Sequence, residues 1–192
     1  MFTGIIQTQA VLKDKKKNRN QIRLTFELAK PYRFRKGESV AVDGVCLTVT
    51  DFKGRKFSAD VIPETLASTT LGNLDVSQKV NIEHPLRVGD ALGGHWVTGH
   101  VDGVGRIQKK TKQARGLSLQ ITAPADIIKL LIPKGSVSID GISFTVQKIQ
   151  NGSFAVGLIP HTARVTTLGH KQVGEFVNLE NDLLVKSIQR FS

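Results

Sequence analysis

The chain has 192 residues, 40% of them hydrophobic and 22% charged, and a formal charge of +11; this composition supports a buried core and excludes wholesale disorder. The one cysteine, Cys46, excludes an internal disulfide framework and a multi-cysteine zinc site and fits a reducing cytosol. There is no apolar run of the roughly 18 residues that a transmembrane helix needs, so no membrane association is expected.

The N-terminal stretch "MFTGIIQTQAV" has no basic leader ahead of a long apolar segment and does not read as a signal peptide; a cytoplasmic protein is expected. Residues 13–19, "KDKKKNR", read as an exposed, solvated hairpin loop. "QIRLTFEL" from Gln21 alternates apolar and polar residues, as a half-buried strand does. "SVAVDGVCLTVTDF" from Ser39 is β-branched on both sides of Asp43-Gly44, a pair that tolerates positive φ and marks a tight bend. "KFSADVI" from Lys56 forms the next strand and stops at Pro63, which lacks the N–H that a central ladder needs.

The same succession then recurs. Residues 109–115, "KKTKQAR", repeat the basic loop, and "LSLQITA" repeats the strand. "PADIIKLL" (124–131) reads as a helix with proline in its first turn. Asp140-Gly141 repeats the bend, "SFAVGLI" the strand and Pro160 the stop. "DLLVKSIQRF" (182–191) reads as a short helix with its acid at the start and bases near the end, as the helix dipole prefers.

The recurrence is a duplication. "VIPETLASTTLG" from Val61 and "LIPHTARVTTLG" from Leu158 lie 97 residues apart, and 11 of 23 positions agree when these windows run on to Glu83 and Glu180. Upstream, "KGESVAVDGVCLTV" matches "KGSVSIDGISFTV", and "FTGIIQTQAVL" from Phe2 matches "VTGHVDGVGRI" from Val97. The chain therefore reads as two all-β units, 1–94 and 95–181, followed by a helix over 182–192. About six short strands per unit suggest a small closed barrel or a sandwich. After each Ile-Pro stop, a turn or short helix is expected at a barrel mouth, with Glu64, Thr65, His161 and Thr162 at matched positions. The hydroxyls of Thr65 and Thr162 also suit helix caps.

Taken together and in duplicate, "MFTGI", "DGVCLTVT", "GGHWVTGHVDG", "IDGISFTV" and the two "IP-T" segments resemble the riboflavin synthases of the α-chain type. The resemblance covers the chain from Met1 to about Asp182. It implies two six-stranded antiparallel Greek-key barrels with a C-terminal helix, a homotrimer, and a reaction that needs no metal and no separate cofactor. In that reaction two molecules of 6,7-dimethyl-8-ribityllumazine become one riboflavin and one 5-amino-6-ribitylaminouracil by transfer of a four-carbon unit. It also implies that each barrel holds one lumazine, and that the site forms between the first barrel of one subunit and the second barrel of its neighbour.

The resemblance assigns site residues by position. His100 matches a position of the first-barrel pocket that takes part in acid–base or nucleophile handling, and His is the side chain that titrates nearest neutrality. His95 matches another site position; a linker histidine packed between barrels is the plainer reading. Cys46 matches a pocket thiol, although a free Cys is more often a small buried hydrophobe, and Ser143 stands at its place in the second copy. Ser39, Phe2, Lys134, Asp140 and Asp182 match positions tied to the site or its interface; Asp182 also suits a helix cap and Asp140 a turn. Thr48 and Thr145 share a strand face with Cys46 and Ser143; Leu47 and Phe144 lie between them. Gly4, Ile5 and Ile6 match Gly99, His100 and Val101 as backbone contacts to the ring. Asp60, Val61, Ile62, Pro63, Glu64 and Thr65, with Gly157, Leu158, Ile159, Pro160, His161 and Thr162, supply ring and ribityl contacts. Two departures stand out: His161 replaces the usual Glu, and the C-terminal helix is short for the family.

Two other readings compete. Lumazine proteins keep the fold and bind lumazine or flavin without turnover, but lose site residues that this chain retains. A basic barrel that binds nucleic acid needs aromatic platforms among its cations. The Lys-rich loops contain no aromatic residue, so no nucleic-acid partner is expected; docking of a protein such as lumazine synthase by these loops is left open.

Overall fold

The computed structural model describes residues 1–18 and 20–189. The first barrel comprises β1 (Thr8–Asn18), β2 (Gln21–Leu28), β3 (Ser39–Val42), β4 (Val45–Lys53), β5 (Lys56–Val61) and β6 (Lys79–Glu83). The second comprises β7 (Gly103–Gln113), β8 (Gly116–Thr122), β9 (Ser136–Ile139), β10 (Ile142–Gln150), β11 (Ser153–Leu158) and β12 (Phe176–Asn181). Both close in the same antiparallel order, β1-β2-β5-β4-β3-β6 and its counterpart. Each contains a meander, β3-β4-β5 or β9-β10-β11, whose first strand is flanked by the next in sequence, which is the Greek-key arrangement. The two-residue period of the strands fills each interior: on β4, Val45, Leu47 and Val49 enter the first core while Cys46 and Thr48 face outward. Phe26, Phe57 and Ile82 fill the first core; Ile121, Phe154 and Leu179 fill the second.

The basic segments are more than solvated loops. β1 and β7 run on through them as strands, and Lys15 and Lys110 are half-buried. Lys15 Nζ donates to the carbonyls of Gly72 (2.8 Å) and Leu74 (3.2 Å); Lys110 Nζ donates to those of Gly169 (2.7 Å) and Lys171 (2.8 Å). The 3-10 turns Thr70–Asn73 and Thr167–Gly169 end with carbonyls that lack a partner in the turn, and an ammonium answers them.

The Ile-Pro stops open helices α1 (Pro63–Ser68) and α3 (Pro160–Val165), with proline in the first turn. The capping expected of Thr65 and Thr162 is not found. Ile62 and Ile159 occupy the N-caps and offer no side-chain acceptor. The threonine hydroxyls that close these turns are Thr69 and Thr166, which donate to the carbonyls of Thr65 (2.6 Å) and Thr162 (2.7 Å). Helix α2 (Ala125–Leu130) follows Pro124 as its cap. Asp182 Oδ1 accepts the Leu184 N–H at 2.9 Å and so caps α4 (Leu183–Gln189); the last residues of the expected helix lie outside the described residues. Among the described residues no helix is long and apolar enough to cross a membrane.

The barrels meet through their Asp-Gly bends, with reciprocal bonds that obey an approximate two-fold relation. A Cβ on Gly44 would lie 2.5 Å from the Gly141 nitrogen, and one on Gly141 would lie 2.8 Å from that of Gly44. Both glycines have φ of +78°, so space and conformation alike require glycine. Asn81 donates to the Asp140 carbonyl (3.0 Å) and accepts the Thr167 N–H (2.8 Å). Asn178 donates to the Asp43 carbonyl (2.8 Å) and accepts the Thr70 N–H (2.8 Å). Asp43 and Asp140, both buried, accept the Asn81 and Asn178 N–H groups at 2.7 and 2.8 Å. The symmetry breaks at charge: Lys171 Nζ lies 2.9 Å from Asp140 Oδ2, while the matching position in the first copy is Leu74. Burial and the neighbouring Asp140 carboxylate push Asp43 up to about 8, against the opposing pull of Lys171.

Two outcomes follow for this interface. Replacing Asn81 with Leu orphans a buried carbonyl and a buried N–H, each costing about 1–3 kcal/mol, and equilibrium denaturation should register the loss. Asp43 binds its proton more tightly folded than unfolded, so its contribution to stability falls as pH rises from its unfolded value of 3.8 toward about 8. The melting-temperature advantage of Asp43→Asn over wild type should therefore grow between about pH 5 and about pH 9; an advantage independent of pH would contradict a protonated Asp43.

Candidate functional site

Two short arms run outside the barrels. Residues 1–6 and 95–101 pair where the Phe2 N–H donates to the Val97 carbonyl (2.7 Å) and the Val97 N–H to the Phe2 carbonyl (3.1 Å). From this bridge each arm crosses to the other unit. The Gly4 carbonyl accepts the Ser143 N–H of the second barrel (2.8 Å), and the Gly99 carbonyl accepts the Cys46 N–H of the first (2.8 Å). A Cβ on Gly4 or Gly99 would stand 2.6 Å from the Cβ of Ser143 or Cys46, and φ is +77° and +82° at the two glycines. The backbone therefore lies flat on the strand, and only glycine fits.

These contacts border two matched stretches of the outer barrel walls, each between a crossing arm and a short helix and called a groove below. The first groove is floored by Cys46 and Thr48, with Ser39 opposite Thr48 on β3. The register that pairs Val49 with Ala59 brings Asp60, Val61 and Ile62 alongside, and α1 follows with Pro63, Glu64 and Thr65. Gly99, His100 and Val101 border it as the crossing arm. The second groove repeats this with Ser143 and Thr145, then Gly157 and Leu158 on the neighbouring strand, Ile159 at the cap of α3, and Pro160, His161 and Thr162 on α3. Gly4, Ile5 and Ile6 border it. Side chains fill both interiors, and the residues expected at the barrel mouths lie on the outer walls. Leu47, Val61, Phe144 and Leu158 point into the cores, so they offer a ligand backbone atoms alone. Phe2 is fully buried and packs with Ala41, Val97 and Cys46.

The polar groups differ between the grooves. In the first, Cys46 is half-buried and His100 exposed. Asp60 takes a bidentate contact from Arg23 (2.7 and 2.9 Å), which holds its carboxyl below the usual range. In the second, Ser143 Oγ lies 2.7 Å from His95 Nδ1. His95 is only 7% exposed, and its Nε2 has no hydrogen-bond partner among the described residues. Burial pushes its pKa down and the charge of nearby Asp182 pulls the other way. The result is a neutral imidazole against a hydroxyl, a pairing able to move a proton. Lys134 is exposed at φ +67° on the turn before β9, where its N–H donates to the Val146 carbonyl.

Two carboxylates at the grooves escaped sequence reasoning. Glu83 accepts the Thr3 N–H and hydroxyl (both 2.7 Å) and the Gly4 N–H (3.0 Å). Glu180 accepts the Thr98 N–H (2.8 Å), the Thr98 hydroxyl (2.5 Å) and the Gly99 N–H (3.0 Å). The signal was the "VN-E" that closes the matched windows in both copies. A cleft of ≈ 600 Å³ opens elsewhere, on the two-fold axis, between Asp43, Lys79, His170, Lys171 and Phe176.

A family model described as the lumazine binding domain matches residues 3–85 and again 98–182. The chain belongs to the lumazine-binding family. It is 41% identical to a riboflavin synthase of Actinobacillus pleuropneumoniae and 36% identical to one of Bacillus subtilis, in each case over all of this chain and 89% of the relative. A riboflavin synthase of Chlamydia pneumoniae is 46% identical over 78% of this chain and 73% of its own length. Among solved structures, LumP complexed with 6,7-dimethyl-8-(1'-D-ribityl) lumazine superposes with a TM-score of 0.82 at 26% identity, and LumP complexed with riboflavin with 0.85 at 28%. Each covers 94% of this chain and 99% of LumP. Each span matched by the lumazine-binding model joins a barrel to the arm that leaves it, so each span contributes to both grooves.

Burial keeps His95 neutral below the ordinary histidine value of 6.5. The stability that this neutral form contributes is complete above 6.5 and is lost as pH falls through the depressed folded value. A 15N NMR titration should show the His95 ring protonating only below 6.5, and Ser143→Ala should alter its Nδ1 resonance while the ring stays neutral at pH 7. A His95 cation at pH 7 would contradict this assignment.

Proposed function

We propose that the chain is a riboflavin synthase, which converts two molecules of 6,7-dimethyl-8-ribityllumazine into riboflavin and 5-amino-6-ribitylaminouracil. The observation that carries this reading is the pair of matched grooves, one per barrel, each floored by a Cys or Ser and bordered by a Gly carbonyl bound to it. A reaction between two copies of one molecule calls for two sites of one design. The full-length similarity to riboflavin synthases supports the same reading.

The two products together contain every atom of the two substrates, so the chemistry closes without an oxidant or reductant. A base removes a proton from the acidic C7 methyl of one lumazine, a nucleophile adds at C7 of the other, and carbon–carbon bonds form between the stacked rings. Stacking two large rings face to face supplies much of the acceleration. In the first groove Cys46 and His100 are the candidates for nucleophile handling and proton transfer. In the second, His95 Nδ1 takes the Ser143 hydroxyl proton and returns it, oriented by the charge of Asp182. Thr48 and Thr145 hold the pyrimidinedione edges; Asp60, Glu64 and His161 bind the ribityl hydroxyls. In this reading a first groove closes against the second groove of a neighbouring subunit in a cytoplasmic homotrimer, as the resemblance to riboflavin synthases implies.

The likeness to LumP favours a second reading, a carrier that binds lumazine or flavin without turnover. The purified chain mixed with 6,7-dimethyl-8-ribityllumazine alone decides between them. Riboflavin should appear at one molecule for every two consumed, and His100→Ala should lower kcat by about 10²–10⁴-fold, the usual worth of a positioned acid–base group. Saturable binding without any riboflavin would establish the carrier.

A further inference from the structure

Each crossing arm is anchored by the barrel that it does not cover. Glu180 sits on β12 of the second barrel, yet it grips Thr98 and Gly99, whose segment lies on Cys46 of the first. Glu83 sits on β6 of the first barrel, yet it grips Thr3 and Gly4, which lie on Ser143 of the second. Thr98 Oγ1 also accepts the His100 N–H (3.1 Å), and Thr3 Oγ1 accepts that of Ile5 (3.2 Å). One carboxylate oxygen therefore fixes, through a threonine hydroxyl, the residue that borders the opposite groove. Both glutamates are buried, at 1% and 2% exposure. Burial pushes both carboxyls up and the threonine and backbone donors pull them back. Only an acceptor at both oxygens satisfies three converging donors. The second anchor is further tied to the C-terminal helix: Lys186 of α4 acts on Glu180 electrostatically and bonds both oxygens of Asp102 at 3.1 Å.

We propose that Glu180 and Glu83 are crossed positioning residues, each setting the groove of the opposite barrel, Glu180 by holding Gly99 on Cys46 and fixing the backbone of the adjoining His100, and Glu83 by holding Gly4 on Ser143 and fixing that of the adjoining Ile5. Their catalytic consequence rests on the synthase reading; their geometric consequence does not. Two amides report the geometry without ligand, because the Cys46 N–H is bound to Gly99 and the Ser143 N–H to Gly4. A glutamine in place of either glutamate presents an N–H to one of the donors and releases the arm.

The experiment is native-state hydrogen exchange on the full chain, read at Cys46 and Ser143, for wild type, Glu180→Gln, Glu83→Gln and Thr98→Val. Loss of a charge-assisted bond should speed exchange of the affected amide by about tenfold or more. Glu180→Gln should expose Cys46 and spare Ser143, and Glu83→Gln should do the reverse. Thr98→Val, which deletes only a hydroxyl, should act more mildly at Cys46 and serves if Glu180→Gln does not fold. Equal loosening of both amides, or loosening in the mutated barrel itself, would overturn the proposal and leave a merely structural role. With 6,7-dimethyl-8-ribityllumazine added, Glu180→Gln should lower kcat by about tenfold or more while the second groove still fills, since small displacements of positioned groups are costly. Absence of turnover in wild type would sink the synthase reading and leave the exchange result intact.

Discussion

Two glycines in contact across a two-fold axis set the geometry on which the rest depends. With Gly44 against Gly141 there is no room for a side chain, so the Asp-Gly bends of both barrels lie back to back. The bend carbonyls and turn N–H groups caught in that contact are answered from the other copy. Asn81 and Asn178 do so reciprocally, each binding a bend carbonyl and a 3-10 turn N–H across the axis. The barrels are thereby locked at one angle. Arms that leave one barrel then reach the outer wall of the other with a register good enough for single hydrogen bonds at Cys46 and Ser143.

Crossing of the arms changes what a repeat unit is. In sequence each copy is an arm followed by a barrel; in space each groove is a barrel wall bordered by the other copy's arm. Neither copy alone completes the border of its own wall, because the bordering arm comes from the other copy. Once the matched backbone was fixed, the side chains were free to diverge. Cys46 faces Ser143, His100 faces Ile5, Asp60 faces Gly157 and Glu64 faces His161 across the relation. The main-chain frame stayed alike while the polar chemistry separated.

Much of this was legible in the sequence. The strands over 21–28, 39–52, 56–61 and their counterparts follow from alternation and from the Asp-Gly and Ile-Pro punctuation, because these signals are local. The closed order of the strands and the pairing of the arms are not local, and periodicity is silent about them. Glu64 and His161 stand on α1 and α3, outside interiors that side chains fill, and strand alternation alone does not say which face a ligand uses. Lys15 and Lys110 read as solvated charge because their acceptors, the turn carbonyls, lie 57 to 61 residues away. Thr65 and Thr162 looked like caps, but the residues placed to close those turns are Thr69 and Thr166. Glu83 and Glu180 were visible only as repeated letters, for their partners lie at the other end of the same copy, 79 to 82 residues away.

The central claim is that both grooves take the same ligand. Its most direct test is the stoichiometry of 6,7-dimethyl-8-ribityllumazine bound to the purified chain, measured by calorimetric titration under conditions that suppress turnover. The account predicts two molecules per chain, with chemical shifts perturbed at both Cys46 and Ser143. One molecule per chain, with a single groove responding, would contradict it.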